Sequence, residues 1–248
     1  TGRLTPYSDE YHRARAYARY YPTLFRESLQ KVRTLIVNNE LARDRIRDFC
    51  SDVRIIPGGV DFEHFRNSEN RKEGRAKKVI LLAGRADDPR KGLYVLLTAG
   101  GGLAHVRNDF ELWVTFAGDL HETPWLKNIG FVPHSRVPEV YKQADICVVP
   151  SVWDEPFGLV AVEAMAAGLP VCATRCGGLA GIVQDGVTGF LFERGNAVQL
   201  ALQINRLLDD VDLRTRMGLA GKKRVEEFYT WDAITEKHYI PLMEEFRA

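Results

Sequence analysis

Apolar positions along the chain fall into two regimes. Up to about residue 66 they come as brief runs. Thr34-Leu35-Ile36-Val37 and Val53-Arg54-Ile55-Ile56 read as strands, the second stopped by Pro57-Gly58-Gly59. Asn38 or Asn39 is a suitable N-cap for a helix between them, predicted to about Phe49. Residues 10 to 30, rich in Tyr, Arg and Ala, read as a helix with a basic face of Arg13, Arg15, Arg19 and Arg26. A charged linker without apolar pattern, Asn67 to Lys78, separates this part from the rest. Beyond it strand and helix signals alternate. Val79 to Ala83, Leu112 to Ala117, Ile146 to Val149 and Pro170 to Ala173 are short, almost purely apolar runs, the first three ended by Gly84, Gly118 and Pro150. Residues 91 to 106 are helical in pattern, with Gly100 to Gly102 expected to break or end that helix early. Gly158 to Ala167 predicts a small-residue helix closed by Gly168, and two or three polar helices cover 196 to 247. Runs apolar on both faces, alternating with helices, predict a doubly wound α/β domain with a parallel sheet over about 70 to 230.

Composition narrows the class. The chain has 248 residues, 45% of them hydrophobic, enough for a sizeable core, and a formal net charge of +1. So balanced a charge leaves no electrostatic footprint for nucleic acid and favours a nucleotide ligand instead. The spacing of Cys50, Cys147, Cys172 and Cys176 suits neither a zinc site nor a disulfide framework, so reduced thiols in a cytoplasmic protein are expected. There is no secretory leader pattern and no run near the ~20 apolar residues that span a bilayer. Arginines on the first helix could hold a membrane surface, although a solvated face is the commoner use.

Ligands of such sheets bind beyond the carboxyl ends of the strands. The first loop there, Gly84 to Gly92, carries Arg85, Arg90 and Lys91. Arg85 can grip phosphate oxygens bidentately and Lys91 adds a point charge, or the loop is a solvated turn with weak Asp–Arg pairs. The second, Pro150 to Gly158, opens the small-residue helix, whose N-terminal amides suit phosphate or sugar oxygens. It holds Glu155, and Glu163 lies inside the helix among apolar neighbours, where a carboxylate is costly without a partner. Gly177-Gly178 after the fourth strand could form an amide nest or a plain turn. Common catalytic motifs are missing: a Gly-x-Gly-x-x-Gly after a strand, which disfavours a nicotinamide enzyme, a phosphate loop, a nucleophile elbow and His-Glu-x-x-His. The six histidines do not cluster in sequence, and no metal site is expected.

Together these residues resemble the donor domain of family 4 retaining glycosyltransferases. The likeness covers roughly residues 33 to 225 and is carried by Pro150-Ser151-x-x-x-Glu155-Pro156-Phe157-Gly158-x-x-x-x-Glu163-Ala164-Met165-Ala166, with the Glu-x7-Glu spacing of that family. Gly84-Arg85 with Lys91-Gly92 resembles its diphosphate loop, Ile56 to Asp61 with Phe65 its hinge, and Asp185-Gly186-x-x-Gly189-Phe190-Leu191 the strand near the end of the domain. The resemblance implies a two-lobed GT-B architecture, of which this chain supplies one Rossmann-like lobe and a short remnant of the other. It implies the end of the N-terminal acceptor lobe in 1–57, the donor domain in 58–230 and a crossover helix in 231–248. It also implies transfer of a hexose from a UDP-, GDP- or ADP-sugar to an unidentified acceptor, with retention and without a metal ion or cofactor. Arg85 and Lys91 would hold the diphosphate, and Glu163 the ribose hydroxyls. Glu155 would hold the sugar, with the amides of Phe157, Gly158 and Leu159, while Gly84 shapes the loop and Phe131 and Val132 hold the base. Two departures stand out: Gly181 occupies a place where the family often has Glu, and Asp119 to Asn128 is short. A whole acceptor lobe does not fit in about 57 residues, so a fragment or one chain of a split enzyme, inactive alone, is expected. The alternative is a non-catalytic nucleotide-sugar-binding or scaffold subunit. On the last helix the face of Tyr239, Ile240, Leu242 and Met243 is expected to be exposed or packed against residues 10 to 30.

Overall fold

A computed structural model of the chain describes residues 22–66 and 75–247. The basic residues Arg13, Arg15 and Arg19, and the linker up to residue 74, lie outside the described residues. The chain divides into two compact units, Thr1–Ile55 and Ile56–Ala248.

In the first unit, residues 22–29 are helical (α1). The strands β1 (Leu35–Val37) and β2 (Val53–Ile55) pair in parallel, with Leu35 opposite Val53. The helix α2 (Glu40–Ile46) joins them. Its cap is Asn39, whose side chain accepts from the Ala42 amide at 2.8 Å. That satisfies one of the amides a helix start leaves open.

The second unit holds a six-stranded, all-parallel sheet. Its strands are β3 (Lys78–Leu82), β4 (Phe110–Val114), β5 (Leu126–Asn128), β6 (Ile146–Val149), β7 (Val171–Thr174) and β8 (Gly189–Phe192), in the spatial order β5-β4-β3-β6-β7-β8. Successive residues of a strand enter opposite cores, as the two-residue period requires. Ile80, Leu82, Val148 and Phe192 join one core, and Val79, Leu81, Val149 and Leu191 the other. The helices α4 (Leu93–Ala104) and α8 (Ala197–Asp209) pack against each other over the first. Residues of α6 (Leu159–Ala166) lie in the second, and α6 packs against α3 (Phe62–Arg66) and α9 (Val211–Phe228).

Two expectations change. The helix α4 runs straight through Gly100–Gly102. Gly100 is buried against the sheet, where an added Cβ would stand 2.4 Å from Leu112, so the glycine lets the helix approach β4 closely. Burial of Val95, Leu96, Ala99 and Leu103 on the same face outweighs the weak propensity of three glycines. The expected last helix is three pieces: α10 (Trp231–Ile234), a π-helical turn (Thr235–Tyr239) and α11 (Ile240–Arg247). Leu242 is buried beside Ile56 and Ile234, whereas Ile240 and Met243 are exposed. Among the described residues no helix is long and apolar enough to cross a membrane, and all four cysteines are buried free thiols.

The strand order reverses between β3 and β6. The chain leaves β3 towards β4 on one side and leaves β6 towards β7 on the other. Loops that diverge at such a switch point leave a crevice above the carboxyl ends of the two strands.

Candidate functional site

The loop after β3 turns at Gly84, whose φ of +95° lies in the left-handed region that suits glycine. The Thr115 hydroxyl donates to the Gly84 carbonyl from the end of β4. At the far end Gly92 has φ +72°, and a Cβ there would lie 1.9 Å from the Pro150 carbonyl oxygen. The loops after β3 and β6 therefore meet closely through backbone at this point, and the Val152 amide donates to the Arg90 carbonyl at 2.8 Å.

This contact delivers Lys91 to Glu155. The Lys91 Nζ lies 2.7 Å from Glu155 Oε1, and the Ser151 hydroxyl donates to the same oxygen at 2.6 Å. Glu155 is buried, so both partners offset a desolvation cost of several kcal/mol. Trp153 lies under the cations, with Arg90 4.7 Å and Lys91 5.7 Å from its ring centre. From behind, the Gly178 amide donates to the Glu155 carbonyl at 2.7 Å. A Cβ on Gly177 or Gly178 would fall 2.3 Å from the Glu155 oxygen or 2.2 Å from the Phe157 oxygen. The paired glycines thus brace the Glu155 loop.

Two recesses open where α6 begins. One, about 320 Å³, is lined by Gly84, Arg85, Phe131, Val132, Leu159 and Glu163, among others. The other, about 230 Å³, is lined by Lys91, Ser151, Glu155, Phe157, Gly158 and Leu159, among others. They share Ala83, Leu159 and Val160, so the start of α6 is their common wall. Glu163 is buried, one turn along the same helix. Burial pushes its carboxyl up to about 7, against the pull of a hydrogen bond from the Tyr141 hydroxyl at 3.1 Å. His134 Nε2 lies 3.8 Å from the other carboxylate oxygen.

The structure thus brings all ten sequence-predicted site residues to one pair of adjoining recesses. The structure also gives the charged ones among them their partners. Glu163 finds the partner a buried carboxylate needs in the hydroxyl of Tyr141. Lys91 sits in a salt bridge with Glu155. Arg85 is 76% exposed, its nearest acid being Asp87 at 3.5 Å. Gly181, at the place often held by Glu, faces open space. Sequence reasoning missed Tyr141 and His134. The signal of Tyr141 was weak, because α5 (Val137–Gln143) has only seven residues and carries a proline in its first turn, and His134 stands in the short turn before it.

The profile of the family described as "Glycosyl transferases group 1" matches residues 63–224. This chain belongs to that family. It is 38% identical over 236 residues to a D-inositol 3-phosphate glycosyltransferase of Corynebacterium diphtheriae, covering 82% of this chain and 54% of the relative. It is 31% identical over 219 residues to a phosphatidyl-myo-inositol mannosyltransferase of Mycobacterium leprae, covering 84% of this chain and 58% of the relative. The chain thus spans little more than half the length of these curated relatives. Among solved structures it resembles a sucrose-phosphate synthase of Thermosynechococcus elongatus (TM-score 0.78, 27% identity, 91% of this chain and 61% of that one). It also resembles the C-terminal domain of a group 1 glycosyl transferase of Francisella tularensis (TM-score 0.63, 26% identity, 70% of this chain and all of that one). The sheet is the Rossmann-like lobe of the GT-B fold. Glu155 and Glu163 stand on either side of the wall that the two recesses share, at the crevice between β3 and β6.

Proposed function

We propose that this chain binds the nucleoside-diphosphate sugar of a retaining, family 4 glycosyltransferase, with nucleoside in the larger recess and sugar in the smaller. The observation that carries this reading is the pair of buried carboxylates, Glu155 and Glu163, opening into adjoining recesses from opposite ends of one helix start. A ligand with hydroxyls at both ends and a phosphate group between them fits that spacing. An Anabaena protein of similar fold is described in complex with UDP and glucose, and we extend that ligand class to this chain.

Glu163 accepts the ribose hydroxyls, beside Phe131 and Val132 at the base end. Glu155, held still by Lys91 and Ser151, accepts from a sugar hydroxyl, with the amides at the start of α6 alongside. Lys91 keeps further N–H groups for the diphosphate, and Arg85 swings from Asp87 onto it. Breaking the bond from the anomeric carbon to phosphate leaves charge on the diphosphate, which these two cations stabilise. The acceptor hydroxyl attacks from the same face and passes its proton to the departing phosphate oxygen. We assign the acceptor site to a second lobe or chain. Transfer is proposed to need no metal ion.

Calorimetric titration with UDP, GDP and ADP tests the reading. One nucleotide should bind saturably, and Arg85→Ala should weaken it about tenfold or more, as loss of a charged hydrogen bond does. Equal binding by wild type and variant would overturn the placement of the diphosphate, and no binding by any of the three would overturn the donor site.

A further inference from the structure

Tyr141 is fully buried, and its hydroxyl has two acceptors in reach: Oε2 of Glu163 at 3.1 Å and the carbonyl of Val160 at 3.3 Å. A phenol carries one hydrogen, so the two bonds are alternatives. With Glu163 ionised the hydrogen belongs on the carboxylate, the stronger, charge-assisted acceptor. With Glu163 protonated, the carboxyl donates to the phenol oxygen and the phenol hydrogen turns to Val160. Both acceptors lie on one turn of α6, so a single side chain from α5 answers to the charge of Glu163.

The other titratable groups facing this carboxylate come from three further segments. His134 lies just before α5, with its Nε2 at 3.8 Å, beyond hydrogen-bonding distance. His64 of α3 stacks on His134, with ring centres 5.9 Å apart and planes at 11°. The buried thiol of Cys147 lies behind, in β6. Among the described residues Tyr141 is therefore the hydrogen-bond donor to the Glu163 side chain.

We infer that Tyr141 is a positioning residue for the donor: by holding Oε2 of Glu163 it favours the charged carboxylate and leaves Oε1 for the ribose hydroxyls that enter the recess. The inference rests on the proposed role of Glu163 towards ribose. It differs from a packing role for Tyr141 in what it says about protons. Removing only the phenol oxygen keeps the ring and its contacts but takes away the bond that favours the ionised carboxylate.

The test is the pH profile of nucleotide affinity for wild type and Tyr141→Phe, from pH 6 to 9. The probes are UDP, GDP and ADP, each beside its 2′,3′-dideoxy form. The readout is the ratio of the two affinities, which cancels titration of the phosphates common to both. In the wild type the ratio should rise through pH 7, where Glu163 ionises, and level off above pH 8. In Tyr141→Phe the midpoint should move up by about one pH unit. The ratio would then fall roughly fivefold at pH 7 and roughly tenfold at pH 6, and recover by about pH 9. A His134→Ala background should leave that displacement in place.

A variant midpoint equal to the wild-type midpoint overturns the inference while leaving the ribose reading intact, and so does an equal loss at every pH, which is the mark of packing alone. A wild-type ratio near one overturns the ribose reading and the inference with it. Thermal unfolding of Tyr141→Phe checks that the core has survived.

Discussion

Glu163 shows how much a single residue can cost and still be kept. Its carboxyl titrates near 7 in the folded chain against an ordinary value of 4.5, because burial penalises the charged form. A group that holds its proton more tightly when folded favours folding at low pH. That advantage is present in full below the unfolded value and is lost as pH rises through 4.5 to 7. Glu163→Gln, which cannot ionise, should therefore stabilise the protein above pH 7 by on the order of 2 kcal/mol, and the gain should fade towards pH 4.5. Paired thermal melts at pH 5 and pH 8 read this directly, and an unchanged difference between the two pH values would refute it. The same variant should lose nucleotide affinity, which would explain why a destabilising charge stands there. The residue itself was legible, since a lone carboxylate in an apolar helix needs a reason. Its partner was not, because Tyr141 lies on a short helix without a clear apolar period.

At the scale of elements the work is done by backbone contacts that side chains would block. Gly178 has room for no Cβ against the Phe157 carbonyl, and its amide holds Glu155 in place. Gly178→Ala should push the Glu155 loop off α7 (Leu179–Ile182), costing about 2 kcal/mol or more in unfolding free energy and most nucleotide affinity. Denaturant unfolding followed by titration would show whether both fall together. The double glycine was visible in the sequence, but whether it made an anion nest or a turn was open. Only the neighbouring loop, brought over by β6 and β7, decides that it is a brace. The three glycines of α4 teach the reverse: local propensity argued for a break, and burial against β4 carried the helix through.

For the molecule as a whole, every candidate site residue from Gly84 to Glu163 falls in the unit Ile56–Ala248, which has both sheet cores to itself. A chain trimmed to residues 56–248 should therefore unfold cooperatively and bind the same nucleotide as the full chain, within about threefold in affinity. Loss of binding on trimming would mean that the first unit shapes the recesses.

The sequence alone determined the alternation of apolar runs and helices that specifies a parallel sheet. It also determined the eight-residue interval that sets Glu155 and Glu163 around one helix start, because chain periodicity is a local property. The tertiary structure decided which partner each charge takes. Lys91 reaches Glu155 across 64 residues and Tyr141 reaches Glu163 across 22. Hydrogen bonds depend on distances of about 3 Å, which exist only once the strands have been ordered around the switch point.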